Sequence, residues 1–351
     1  MVFGSQVDRL LRQASRGLDT WVVVRLGLVE VEKHAGLSLA PSDPAAFWRS
    51  SRVNDPARIT LVDERVAAEG REWHELELVG PSEGPGTHPG SRKLFASAHV
   101  RRGQSGAPMV VMVHGFAVPF TGYDRLAAWQ LRRRGAHTVR IDLPFHLRRR
   151  IPGKPSGASY FSIDLERMRA VVRQSVEDVA AVVAWARQEV TSNIVVFGVS
   201  LGGLISSLLA ALVEVEGLVA VAPLVDPASS FTERPPVLVQ RRMGMLGAGD
   251  DFWGRDSRSA RHTVEAGLAP IRPRSLTPAT PGERITIVRP LRDLIVGPAP
   301  MLELAQAWGA DLWDYDHGHI TIMNAQGFSA RVRDRLLTRA PALGHDMQLA
   351  G

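Results

Sequence analysis

Apolar positions along this chain first alternate with polar ones and then gather into unbroken runs separated by stretches of helical period. Alternation over Arg58–Val66, Trp73–Val79 and Lys93–Val100 predicts three strands at the front. Between the second and third, Gly80–Gly90 carries three prolines and four glycines and predicts a loop. Pro108–Val113 is continuously apolar, which suits a strand buried on both faces of a parallel sheet. Further strands are expected at Thr138–Leu143, Ile194–Phe197, Leu218–Val221, Ile285–Val288 and Ala310–Trp313. A helix should run from Gly122 to Arg134, with Gly135 as a left-handed cap. The clearest helix sets Leu165, Met168, Val172, Val176, Val179 and Val183 along one face, with Ser162 as N-cap and Asp164 and Glu166 in the first turn. Strands separated by helices imply an α/β fold with a mainly parallel central sheet, whose ligands gather at the carboxyl ends of the strands.

Ahead of the strands, Met1–Leu39 begins as an amphipathic segment, with Val7, Leu10, Leu11 and Leu18 set against Arg9, Arg12 and Arg16. A helix docked through its apolar side on the core is expected, and a helix lying on a membrane surface is the rival. The apolar stretch Trp21–Leu28 holds Arg25 and is followed by Glu30 and Glu32, which breaks any membrane span. It also starts late for a signal peptide and lacks a clean cleavage site. Pro41, Pro44 and Pro56 mark a connecting stretch. The expected division is a helical extension over 1–57, an α/β domain over 58–340 and a tail over 341–351.

Length and composition fit that picture: 351 residues, 45% hydrophobic and 22% charged, are values of a globular chain. Cysteine is absent, which excludes disulfides and cysteine metal sites and fits a reducing, cytoplasmic compartment. The net charge of +6 raises the question of an anionic partner. Arginine carries nearly all of it, since Lys33, Lys93 and Lys154 are the lysines, and no recognition motif accompanies it. Nucleic acid is therefore not expected as a partner. No dinucleotide fingerprint or P-loop is present, so no cofactor or nucleotide is implied.

The candidate chemistry centres on Gly198-Val199-Ser200-Leu201-Gly202, between the strand 194–197 and an apolar, small-residue helix. A serine held on so sharp a strand-to-helix turn tolerates no bulky neighbours, and Gly198 and Gly202 supply none. The turn projects the Ser200 hydroxyl above the sheet and aims the Leu201 N–H, at a helix N-terminus, toward any oxygen bound there. A serine nucleophile needs a histidine to take its proton and a carboxylate to orient that histidine. Loops after the late strands offer both: Arg289-Pro290-Leu291-Arg292-Asp293, then Asp316-His317-Gly318-His319. The competing readings are His317 or, more remotely, His114 and His146 for the base, Asp226 for the acid, and metal ligation by Asp314, Asp316, His317 and His319.

With these residues the chain resembles an α/β-hydrolase. His114-Gly115-Phe116 after an early strand, the elbow at Ser200, Asp293-Leu294-Ile295-Val296 after a late strand and Gly318-His319 near the end match that superfamily's landmarks in order. The resemblance spans roughly residues 70 to 340 and says little about substrate. It implies Ser200 as nucleophile, His319 as general base and then acid, Asp293 as orienting acid, and the N–H groups of Phe116 and Leu201 as oxyanion hole. His114 would shape the oxyanion loop. The expected activity is hydrolysis of a small carboxylic ester through an acyl-enzyme, without metal or cofactor. An amidase, peptidase or acyltransferase on the same residues, or a catalytically silent binding protein, are the alternatives.

Two departures from that superfamily stand out. In place of a glycine-rich turn after the strand 138–143 stands Pro144-Phe145-His146-Leu147-Arg148-Arg149-Arg150, where the arginines would either hold a substrate anion, with His146 and Arg148 at the rim, or form a solvated loop. The segment from 227 to about 267 exceeds a usual connection. Its Phe231, Val237, Leu238, Met243, Met245, Leu246, Phe252 and Trp253 suit a lid, with Phe252 and Trp253 against substrate, though an oligomer interface or core packing would use them equally.

Overall fold

The computed structural model of the chain describes residues 7–15, 17–19, 43–68, 70–84, 89–118, 122–162, 164–232 and 257–338. Residues 7–15 and 17–19 are helical and form α1. After α2 (Pro44–Arg49) come β1 (Thr60–Val66), β2 (Trp73–Pro81), β3 (Lys93–Arg101), β4 (Met109–Val113), α3 (Gly122–Arg132), β5 (His137–Asp142) and α4 (Leu165–Glu189). Then follow β6 (Ile194–Val199), α5 (Leu201–Leu212), β7 (Gly217–Val221), α6 (Pro227–Thr232), α7 (Ser257–Leu268), β8 (Ile285–Pro290), α8 (Pro298–Trp308), β9 (Asp311–Tyr315) and α9 (Phe328–Leu337).

The strands form one sheet in the order β1-β2-β3-β5-β4-β6-β7-β8-β9. Pairing is antiparallel from β1 through β3 to β5 and parallel from β5 to β9. Every residue of β4 and β7 is buried, which is why MVVMV and GLVAV show no alternation. Val111 and Val196 pack on one face with Val176, Leu204 and Leu208 of α4 and α5. Val110, Phe197 and Val219 pack on the other with Leu131 of α3 and Phe328 of α9. Neighbouring residues of a strand point to opposite faces, so a continuous apolar run serves both cores.

The strand expected over Arg58–Val66 forms as β1, at the sheet edge with all seven residues exposed, and its charged Asp63, Glu64 and Arg65 suit an edge that must not pair with another chain. Other expectations are corrected by the packing. The N-cap of α4 is Asp164, which accepts from Arg167 N–H at 3.0 Å, while Ser162 Oγ accepts from Asp164 N–H at 3.1 Å. The stretch read as a connector holds α2, capped by Asp43, with Phe47 and Trp48 buried and Trp48 Nε1 donating to Pro270 O at 2.8 Å. In α1 the side turned inward is polar: Asp8, Ser15 and Asp19 are buried, whereas Val7 and Leu10 are 52% and 63% exposed. Docking through hydrogen bonds, described below, overrides the apolar stripe.

Of the segment read as a lid, residues 233–256 lie outside the described residues, Phe252 and Trp253 among them. Its flanks pack down: Ala228, Val264 and Leu268 belong to the core beside α4. Among the described residues, no helix is long and apolar enough to cross a membrane.

Candidate active site

Four loops at the carboxyl edge of the parallel strands converge, those after β4, β6, β8 and β9. The loop after β6 is the tightest. Ser200 has φ 55° and ψ −114°, a conformation that favours glycine, and caps α5. Its backbone is over-determined: the N–H donates to Val221 O at 2.9 Å, and the carbonyl accepts from Leu204 and Leu224 N–H at 3.1 Å each. A methyl group on Gly198 would collide with Gly202 O and Ser206 Oγ, and one on Gly202 with the carbonyls of Val113 and His114. Gly202 lets the turn press against β4, Gly198 lets α5 start close against its own strand, and the strain at Ser200 is held by the contacts around it.

Ser200 Oγ lies 3.0 Å from His319 Nε2, and His319 Nδ1 lies 2.7 Å from Asp293 Oδ2. The other Asp293 oxygen accepts from Ile295 N–H at 2.8 Å and Val296 N–H at 2.9 Å. Burial pushes the Asp293 carboxyl up, but the His319 charge, the hydrogen bond to His319 and these two N–H groups pull it below the ordinary carboxylate range. Burial pushes the His319 imidazole down, and the attraction and hydrogen bond of Asp293, with a further contribution from Asp19, carry it above the usual histidine value. With Nδ1–H donating to Asp293, Nε2 is the free lone pair that faces the Ser200 hydroxyl.

The rivals for these positions are elsewhere. Asp226 accepts from Arg272 at 2.7 Å and from Ser229 N–H at 3.3 Å, and so is engaged away from His319. His317 turns its Nε2 toward Asp8 Oδ1 at 3.1 Å. Asp314 pairs with Arg289 and Asp316 with Arg292, so the acidic and histidine side chains of that run diverge toward different partners rather than converging on one point.

After β4, His114 Nδ1–H donates to Gly115 O at 2.7 Å and Nε2 accepts from Leu143 N–H at 3.1 Å. His146 Nδ1–H donates to Pro144 O at 2.8 Å and Nε2 accepts from Ala117 N–H at 3.1 Å. Both imidazoles accept through Nε2 and so brace the loops after β4 and β5 against each other, and burial above all holds His146 well below its usual pKa. Ala117 sits at φ 56°, and the Phe116 ring rests against His146 and Phe161, with centroids 5.6 and 4.7 Å away. The Phe116 N–H is in this braced loop, and Leu201 is the first residue of α5.

Substrate contact by His146 does not fit a side chain that is 0% exposed and bonded on both nitrogens. Nor do the arginines form an open anion cradle. Arg148 pairs with Asp142 and Glu77 at 2.6 Å each. Arg149 is fully buried and spans Asp178 (2.7 Å), Ser82 Oγ (2.8 Å), Ser91 O (2.9 Å) and Asp142 O (3.0 Å). These acceptors lie far apart in sequence, so nothing local marked Arg149 as a core residue. Sequence patterning likewise missed Asp19. Its Oδ2 accepts from His319 N–H at 2.9 Å and Leu294 N–H at 3.2 Å, and its Oδ1 from Ile320 N–H at 3.1 Å.

Comparison with known proteins agrees with this architecture. Two uncharacterized proteins of Mycobacterium tuberculosis, from two strains, are each 33% identical over 222 residues, covering 60% of this chain. The chain spans about half the length of these curated relatives, 49%. Acetyl xylan esterase 1 from Thermoanaerobacterium sp. JW/SL YS485 superposes with a TM-score of 0.61 at 16% identity, over 85% of this chain and 94% of that one. Acetyl xylan esterase from Paenibacillus sp. R4 gives 0.60 at 15% identity, over 86% and 96%. At these identities the likeness is one of fold. The model of the alpha/beta hydrolase family matches residues 110–350, most of the sheet and all four loops, and the chain belongs to that family.

Proposed function

We propose that this protein is a serine hydrolase that cleaves carboxylic esters of small molecules through an acyl-enzyme on Ser200. The observation that carries the reading is the unbroken line from Ser200 Oγ through His319 to Asp293, at 3.0 and 2.7 Å. Hydrogen-bond contact at both ends of one imidazole is what proton transfer from a weak hydroxyl nucleophile requires.

In the first half-reaction Ser200 Oγ attacks the acyl carbonyl carbon while its proton passes to His319 Nε2. Asp293 keeps the Nδ1–H in place and stabilises the imidazolium. The carbonyl oxygen takes up the negative charge and is met by the N–H groups of Leu201 and Phe116; losing one such donor typically costs about 100 to 1,000-fold in kcat. The tetrahedral intermediate collapses, the alcohol oxygen leaves with the proton from His319, and the acyl group stays on Ser200. Water then attacks that ester by the same route, with His319 taking its proton and returning it to Ser200 Oγ as the acid departs.

Esters are the first substrates to test because two proteins of like fold carry names of ester-cleaving enzymes. A fluorophosphonate probe should label the wild-type chain and leave Ser200→Ala unlabelled. A panel of p-nitrophenyl esters of graded chain length should be hydrolysed by the wild type alone. Labelling that survives Ser200→Ala would sink the assignment.

A further inference from the structure

α1 is bound to the two loops that carry Asp293 and His319, and carboxylates make the connection. The fully buried Asp19 joins the N–H of Leu294, next to Asp293, to those of His319 and Ile320. Gly318 belongs to the same contact. A Cβ there would lie 2.8 Å from Asp19 Oδ2 and 2.9 Å from Ser15 Cβ, so the glycine before His319 makes room for this carboxylate. Nearer the start of α1, Asp8 accepts from Gln326 N–H at 2.9 Å and faces His317, and Arg292 donates to Arg12 O at 3.0 Å. These bonds bridge residues about 300 positions apart in the chain, where no local preference could hold the two loops together.

We propose that Asp19 is a positioning residue for the His319–Asp293 pair, locking both loops in register and adding a second buried negative charge beside the imidazole; the inference rests on the hydrolase reading above. Three N–H donors converge on Asp19, an arrangement that suits an acceptor-only carboxylate. Burial pushes the Asp19 carboxyl above its usual range, against the pull of the three N–H bonds, and the Asp293 charge adds to the rise. The groups facing His319 are Asp293 from the loop after β8, Asp19 from α1 and the Ser200 hydroxyl from the elbow. Both carboxylates favour the imidazolium, and only Asp293 touches a ring nitrogen.

The test compares full-length wild type, Asp19→Asn and Asp19→Glu by three measurements: ester hydrolysis against pH, fluorophosphonate labelling, and titration of the His319 ring by NMR, assigned with His319→Ala. Asp19→Asn keeps the shape but loses the charge and turns one amide N–H₂ toward N–H donors. It should label to the wild-type end point but about tenfold to a hundredfold more slowly, the cost of a small misplacement of the base. The loss should fall in kcat rather than KM, and the His319 pKa should drop, moving the acidic limb of kcat/KM to lower pH. Asp19→Glu should keep more of the limb than Asp19→Asn. An unchanged rate and limb in Asp19→Asn would overturn the proposal, as would a loss that only tracks the unfolded fraction with the His319 titration unmoved. Should Asp19→Asn not fold, the wild-type amide protons of Leu294, His319 and Ile320 decide: they should titrate together with one carboxyl, and independent behaviour refutes the bridge. Absence of ester hydrolysis in wild type would remove the enzymatic reading, whereas the NMR titrations would still judge Asp19.

Discussion

His319 and Asp293 meet at 2.7 Å with the Asp293 side chain 0% exposed, so the ion pair they form on protonation is shielded from solvent. In the proposed mechanism this pair sets the pH dependence, because attack on substrate needs neutral His319, whose pKa in the fold is raised above the ordinary value of 6.5. The acidic limb of kcat/KM should therefore fall above pH 6.5, with activity rising through it. Asp293→Asn should move the limb down and lower kcat by roughly ten-thousand-fold, because the imidazole loses both its tautomer and its counter-charge. The linked stability has the opposite sign: a raised histidine pKa contributes stability that is full below the unfolded value and disappears as pH rises through the folded one. A pH–rate profile together with urea unfolding on Ser200→Ala at pH 5 and 9 checks both.

The conformation of Ser200 gives a second expectation. Holding a non-glycine residue at φ 55° costs on the order of 1 kcal/mol or more. Ser200→Gly and Ser200→Ala should both be inactive, and Ser200→Gly should unfold at higher denaturant, more stable than Ser200→Ala by about 1 kcal/mol. Equal midpoints in chemical denaturation would show that the turn stores no strain.

The sheet was legible because strands buried on both faces cannot hide their composition: Met109–Val113 and Ile194–Val199 are apolar without a break. The elbow was legible for a related reason, since a close approach such as that of Gly202 to β4 admits no other residue type. What stayed hidden are contacts in which a side chain meets backbone from a distant part of the chain. The partners of Asp19 are N–H groups, which every residue but proline possesses, so nothing in the sequence at Leu294 or Ile320 points back to α1. Arg149 was misread for the same reason, as were the apolar residues of α1, whose stripe suggested the wrong side. His146 braces Ala117 through a ring nitrogen, a use that composition cannot separate from a place at the rim.

The buried ion pair Arg149–Asp178 gives a third. Arg149 is 0% exposed and its partners include two backbone carbonyls. Arg149→Met would leave Asp178 as a buried charge without its partner and should cost about 3–5 kcal/mol, whereas Arg149→Met with Asp178→Leu should recover much of the loss. A double-mutant cycle in guanidinium unfolding measures the difference. Arg148→Ala, by contrast, should leave discrimination between neutral and acidic esters unchanged, because its guanidinium already answers to Asp142 and Glu77.

Gly202→Ala tests whether the elbow and the loop after β4 act as one unit. The added methyl would drive into Val113 O and His114 O, which are backbone atoms at the end of a central strand and cannot swing aside like a side chain. Relief has to come from the turn moving away from β4, which carries the Leu201 N–H away from the Phe116 N–H. Overpacking of this kind costs roughly 1–3 kcal/mol of stability. The activity loss should exceed the stability loss: in the folded fraction kcat should drop about a hundredfold, in line with a displaced oxyanion donor. His319 should keep its raised pKa, since the carboxylates that raise it, Asp293 in the loop after β8 and Asp19 in α1, do not move with the turn. Kinetics corrected for folded fraction, set beside the NMR titration of His319, separate the two. A Gly202→Ala variant with wild-type kcat would show that the two N–H groups do not depend on this contact.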